Sequence, residues 1–402
     1  MKNIFYYLVL IILIISCSSH QEKTEISNNS WEQVSEIAKG ETVNLMMWKG
    51  DPLINKYMSD YVVPELQKQY GVTLNIIEGQ GNSIVSLLMT EIETNKQKSE
   101  VDMVWINGET FYQLRQINSL YGPFVERLPN SQYVNWENPF IAYDFQQAVE
   151  GYECPWGNVQ MAFIYNSDKV QNQPMNLNEL EIWVKAHPGK FTIGNEFTGM
   201  TLLKSWLIYL AGGKDSLSGK FDVEKYLKYS TQLWEYLNRI KPYFWNNGKS
   251  FPSSIAQMHQ LFANGELWFT MSNNDGEVDN KMIQGIFPES SRAYVPETGT
   301  IQNSHYLGIV SHSANKEAAM VICNFLISPE AQFKKMQPSV WGDHTILSIS
   351  KLPVGWQQKF KEIPGRKYTP ERADIQDKAL MEPAPEYMIR TFDDFRKEVM
   401  EK

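Results

Sequence analysis

Beyond Gly40 the chain alternates two kinds of segment. Short runs rich in branched and aromatic residues are followed by stretches whose apolar residues recur every three or four positions. Residues 43–48 form a β-type run, after which Ile54, Tyr57, Tyr61, Val62 and Leu66 carry helical spacing. Residues 72–77 read as a second strand, and Ile84, Leu87, Leu88 and Ile92 as the next helix. Residues 102–106 follow as a third strand, with Phe111, Leu114 and Ile117 on the helix after it. This alternation predicts an α/β fold around a mostly parallel sheet. Near residues 145–165 the pattern breaks, and two extended segments flank Pro155-Trp156-Gly157. A second alternating region follows, with helices expected over 177–186, 201–211 and 223–240 and a strand over 267–271. Residues 305–310 read as a further strand. Residues 318–327 read as an apolar helix closed by Ser328-Pro329, and the tail from Lys351 as amphipathic helices broken by prolines. The folded part exceeds the size at which one core keeps growing, so two lobes are expected.

The N-terminus carries a processing signal. Lys2 precedes an apolar run over residues 4–15, which is short of the roughly 20 residues that span a bilayer. This reads as a secretory signal peptide over residues 1–16. It ends in Ile14-Ile15-Ser16-Cys17, which resembles the bacterial lipobox; the alternative is an ordinary signal peptide with a chance cysteine. Cleavage before Cys17 would leave an acylated cysteine, and more than one acyl chain gives stable anchoring. Residues 17–40 then form the lipid anchor, a polar tether and a short lead-in helix carrying Trp31, Val34, Ile37 and Ala38. The expected location is outside the cytoplasmic membrane, anchored to the cell envelope.

Without Lys2 the mature chain keeps 36 basic against 46 acidic residues, a net charge of −10. That argues against nucleic-acid or anionic-membrane surface partners and permits a cationic ligand. Cys154 and Cys323 are too few for a disulfide framework or a paired-cysteine metal site. They could pair, although cysteine also serves as a small buried hydrophobe. No G-x-S-x-G elbow and no H-E-x-x-H pair occurs. Gly248-Lys249-Ser250 lacks the first glycine of a phosphate loop, Tyr243 standing there, and Ile84 replaces the third glycine after Gly79 and Gly81. Both read as turns, and no enzyme activity, cofactor or metal is expected. Metal capture needs several donors converging, and His305 and Tyr306, adjacent on a strand, face opposite sides.

Three features occur in an order that resembles the extracellular solute-binding proteins of ABC importers. They are the lipoprotein signal, a proline-containing strand followed by Tyr165-Asn166-Ser167-Asp168, and the late stretch Ser328-Pro329-Glu330-Ala331-Gln332. The chain is similar to the YnjB-type branch at Trp105-Ile106-Asn107-Gly108-Glu109, at Pro155-Trp156-Gly157 with Gln160, at Gly299-Thr300 with Asn303 and His305, and at Trp341-Gly342-Asp343. It departs at Trp48-Lys49-Gly50, where the family more often has two glycines after the tryptophan. The resemblance covers nearly all of the chain after Trp31. It implies a periplasmic-binding-protein-like (type II) fold of two lobes, with hinge crossovers and a ligand cleft between them. Residues 41–148 plus 296–337 would make one lobe and residues 150–293 plus 341–402 the other, with crossings near Val149, Val295 and Ser339. A monomer would bind a small-molecule solute and deliver it to ABC permease subunits.

In open α/β sheets ligands bind beyond the carboxyl ends of strands. That rule selects Trp48, Trp105, Asn107, Gly108 and Glu109, then Trp156 and Gly157 at the crossover, and Asn273 and Asn274 after a strand. The resemblance adds Gln160, Asn303 and His305. Thr198 and Thr201 open a helix, where either suits an N-cap and where free backbone N–H groups would suit an anion. Asp51, Glu109 and Glu153 lie near the tryptophans, and indole faces with carboxylates suit a cation, thiamine-like or polyamine-like. Competing readings are lobe packing for each tryptophan, a sugar site, metal capture, and a surface adhesin or sensor without transport.

Overall fold

The structure is a computed structural model that describes residues 29–402. The signal peptide, Cys17 and the tether up to residue 28 lie outside the described residues. Twelve strands occur among the described residues: β1 (Thr42–Met47), β2 (Thr73–Glu78), β3 (Met103–Ile106), β4 (Leu120–Tyr121), β5 (Tyr143–Asp144), β6 (Gln147–Ala148), β7 (Glu153–Gln160), β8 (Ala162–Asn166), β9 (Phe269–Ser272), β10 (Ser291–Tyr294), β11 (Thr300–Val310) and β12 (Ala379–Leu380). In the main sheet β2 and β3 flank β1, both parallel to it, as the alternation predicts. β11 then pairs antiparallel with β3, β4 and β7, and parallel with β12. The second sheet departs from the parallel expectation, because β9 and β10 both flank β8 antiparallel. Alternation with helices says that the chain leaves the sheet after each strand, not the direction in which it returns.

Local signals fix the helix starts. Asp222 caps helix Val223–Ile240, accepting from the Glu224 and Lys225 N–H groups at 3.0 Å. Ser328 caps helix Pro329–Met336 through the Ala331 N–H at 3.1 Å, with Pro329 at the first helical position, where its missing N–H costs nothing.

Two main cores form. The first gathers Val43, Leu45 and Met103 with Leu307 and Ile309 under helix Lys316–Leu326. The second gathers Phe163, Met200, Trp206, Leu237, Phe269 and Tyr387. The C-terminal segment corrects one expectation. Trp341, Ile346, Leu347, Leu352 and Phe360 pack in the first core, and the chain rejoins the second half at residues 366–368, which bond to Asp275 and Asp279, and then through Ile375 and Leu380. Amphipathic spacing shows that a face is buried, not which partner buries it. Cys154 and Cys323 are free and buried.

β7 and β11 run between the cores. All eight residues of β7 are buried. β11 is eleven residues long, with Ile301 in the second core and Leu307 and Ile309 in the first. Their pairing is interrupted between His305 and Tyr306, which face Gly157 and Pro155, so Trp156 is the extra residue of a bulge. Bulges bend a strand and re-aim side chains, and here the bend falls where the chain passes from one core to the other.

Candidate functional site

The bulge gathers aromatic rings from four segments. Trp105, at the end of β3, meets Trp156 edge-on at 5.0 Å, and Trp156 meets Trp341 at 5.2 Å. His305 lies 5.3 Å from Trp105 and stacks on Trp341 at 5.8 Å. Trp156 is fully buried, whereas Trp105 and His305 are half-buried and form the open side of the cluster. Asp343 fastens the group from below. It is ion-paired with Lys335, and its Oδ1 lies 3.3 Å from His305 Nε2. Burial alone would raise the Asp343 carboxyl, but Lys335 and His305 outweigh it and hold it below its ordinary value. Burial also draws the Lys335 ammonium below its ordinary value, against the pull of Asp343. Gly157 makes the arrangement possible, since a Cβ there would lie 2.1 Å from Asp343 Oδ2 and 2.5 Å from the His305 ring.

A second polar group stands beside it. Lys204 Nζ lies 2.5 Å from Glu382 Oε2 and 4.1 Å from the centre of the Phe145 ring. Asn303 donates from Nδ2 to Glu382 Oε1 at 3.1 Å. Glu109 occupies the first turn of helix Gly108–Gln116 with its Oε2 unpartnered. Burial pushes its carboxyl up to about 7, against the pull of Lys204. Gly108 lets that turn sit on Phe145, because a Cβ would come within 1.8 Å of the ring. Burial and then the neighbouring Glu382 push the Asp144 carboxyl well up.

The other expected residues have separate surroundings. Trp48 is half-buried and folds over Gly50, where a Cβ would come within 2.4 Å of the indole. The glycine that matters in this loop is therefore Gly50, and Lys49 is exposed. Asn107 is half-buried and its side chain makes no capping bond. Gln160 is fully buried and structural, its amide donating to Thr300 Oγ1 and the Ile375 carbonyl at 3.3 Å. Neither Thr198 nor Thr201 is the helix cap. Glu196 caps helix Phe197–Leu210, accepting from the Thr198 N–H at 2.8 Å and the Gly199 N–H at 3.1 Å. Its extended backbone and longer side chain reach the first turn, so a carboxylate already holds the donors an anion would use. Thr198 accepts from Asn273 Nδ2 at 3.2 Å, leaving Asn273 Oδ1 unpartnered. Thr201, a turn further in, donates back to the Phe197 carbonyl. Asn274 is spent on a turn, accepting from the Gly276 N–H at 2.9 Å. Asp51 pairs with Lys281 at 2.9 Å, and Glu153 is fully buried with both oxygens unpartnered, burial pushing its carboxyl well up.

The structure thus joins Trp105, Trp156, Gly157 and His305 in one cluster, Asn303 with Lys204 and Glu382, and Thr198 with Asn273. Sequence reading missed Lys204, Glu382, Asp144 and Lys335. Lysines and acids usually sit on the surface, and no local pattern marked these as buried. Among the described residues no grouping of His, Cys, Asp and Glu fits a metal ion, and no helix is long and apolar enough to cross a membrane.

Comparison with known proteins places the chain. Residues 62–361 match the bacterial extracellular solute-binding protein family. Protein YnjB of Escherichia coli (strain K12) is 34% identical over 337 residues, which cover 83% of this chain and 86% of its own. Two solved structures share the fold at low identity. The spermidine/putrescine ABC transporter substrate-binding protein PotD from Streptococcus pneumoniae has a TM-score of 0.61 at 15% identity, covering 90% of this chain and 99% of that one. The periplasmic binding protein AfuA from Actinobacillus pleuropneumoniae, with exogenous fructose-6-phosphate bound, has a TM-score of 0.62 at 13% identity, covering 89% of this chain and 98% of that one. The mixed α/β fold is that of periplasmic binding proteins, and the chain belongs to the bacterial extracellular solute-binding protein family.

Proposed function

We propose that this protein captures a small solute between its two cores and passes it to the permease of an ABC importer, without chemistry on the solute. The observation that carries this reading is the half-buried pair Trp105 and His305 at the bulge where β7 and β11 pass from one core to the other. Bending there would close the cores over a ligand, and affinity would measure how much the ligand favours the closed form. The solute carries positive charge. Glu109 offers an unpartnered carboxylate oxygen and is held close to neutrality by burial, so a cation beside it would restore its ionised form. A thiamine-like or polyamine-like solute meets that description, and the Glu196 cap disfavours an anion at the helix start. The protein works as a monomer, exported and held to the envelope by lipid on Cys17.

Thermal unfolding of the mature protein against thiamine, polyamines, amino acids, sugars, phosphate compounds and metal ions tests this. A ligand at about 100 times its dissociation constant adds roughly 2.7 kcal/mol, which raises the midpoint by a few degrees. A rise with cations supports the reading, and a rise with phosphate compounds alone overturns the cationic part. Labelled palmitate retained in a Cys17→Ala variant would refute the anchor.

A further inference from the structure

Lys281 lies on helix Glu277–Ile283, whose Val278 packs with Ala162 and Ile164 of β8. Its ammonium lies 2.9 Å from Asp51 Oδ2 and 3.3 Å from Glu277 Oε1. Asp51 belongs to the other side of the molecule, beyond the carboxyl end of β1 at the start of helix Pro52–Tyr57. Its Oδ1 caps that helix, accepting from the Leu53 N–H at 2.7 Å and the Ile54 N–H at 3.2 Å. One oxygen therefore fixes Asp51 to its own core while the other reaches across. The side chains of Lys281 and Asp51 are only 5% and 14% exposed. The same segment makes further contacts across the divide. Asn280 donates to the Pro338 carbonyl at 2.9 Å, and Gly276 lies so close to Gly342 that a Cβ would come within 2.7 Å of its carbonyl oxygen.

A buried ion pair gains little net energy over its hydrated form, but removing one partner strands the other without water. Such a pair sets geometry more than it adds stability. Without the ammonium, Asp51 and Glu277 would face each other across a closed gap, and only separation of the cores would hydrate them. We infer that Asp51 and Lys281 are positioning residues for solute capture, a clamp that holds the two cores in closed register before solute arrives. This rests on the proposed capture by closure.

Small-angle X-ray scattering of the mature, solute-free protein tests it, with circular dichroism to confirm folding. The unaltered protein and Lys281→Arg, which keeps the charge, should both give the radius of gyration calculated from this structure, in which the Asp51–Lys281 pair is formed. Lys281→Met should give a larger one, and Asp51→Asn, which keeps a good cap, should do the same if Lys281→Met fails to fold. Gly276→Trp, a wedge against Gly342, tests the hinge itself. An enlarged Gly276→Trp with Lys281→Met and Asp51→Asn unchanged overturns the clamp and leaves capture by closure standing. A folded Gly276→Trp with no enlargement overturns both. An unaltered protein already larger than this structure overturns the clamp.

Discussion

Replacing Asp343 with asparagine removes one charge from beneath the aromatic cluster and almost no volume. Asp343 and Lys335 both have fully buried side chains, so the change strands an ammonium that also bonds the His344 carbonyl at 2.9 Å. Breaking a buried pair in this way costs about 3–5 kcal/mol. Unfolding entropy near 2.1 cal/mol/K per residue gives about 0.8 kcal/mol/K for a chain of this length, so the thermal midpoint should fall by roughly 4–6 °C if the cores melt together. The loss should have a defined pH dependence. Asp343 is held below its ordinary value when folded, so its contribution is fully present above the ordinary carboxylate range and is lost as pH falls through the folded value. The gap between the unaltered protein and Asp343→Asn should therefore stay constant from about pH 8 to pH 5 and narrow below about pH 4. Calorimetry across that range is the assay. A drop of less than about 1 °C at neutral pH would refute the reasoning, because the pair would then carry no charge worth protecting.

Trp105→Ala should weaken solute binding far more than folding, whereas Trp156→Ala, at 0% exposure, should cost about 3–5 kcal/mol of stability. Urea unfolding paired with ligand titration separates the two, and equal stability losses would overturn the distinction. Glu109 holds its proton up to about pH 7 when folded and releases it near pH 4.3 when unfolded. Its share of stability is thus lost as pH rises through that window. Glu109→Gln should abolish this fall, and parallel curves of midpoint against pH would sink the idea. Gly157→Ala should cost about 1–3 kcal/mol of stability through overpacking and so lower the urea midpoint, because its Cβ meets Asp343 and His305; an unchanged midpoint would mean the two side chains yield freely.

The sequence made the framework legible where periodicity is strong. Helices Leu177–Ala186 and Val223–Ile240 fall where apolar spacing places them. The end of β3 carries Trp105 as the strand-end rule requires. What stayed hidden depends on partners distant in sequence. Trp105 and Trp156 look alike in their local contexts, and only the bulge decides that one is half-open and the other sealed. Thr198 and Thr201 have the better capping chemistry, yet the backbone turns one residue before Phe197, and Glu196 takes the place. Asp51 looks available to a cationic ligand until Lys281, 230 positions away, is brought beside it. The direction of β9 and β10 against β8, and the core that residues 341–360 join, are choices among packings that the same apolar pattern satisfies.

The bulge at Trp156 has one more consequence. Three indoles and an imidazole meet at the point where the two strands bend, with Trp105 and Trp156 only 5.0 Å apart. Indoles this close share excited states, and their near-ultraviolet dichroism and emission depend on distance and angle. All three indoles pack in or against the first core, so this signal follows the packing of that core beside the bend, readable in real time without an attached dye.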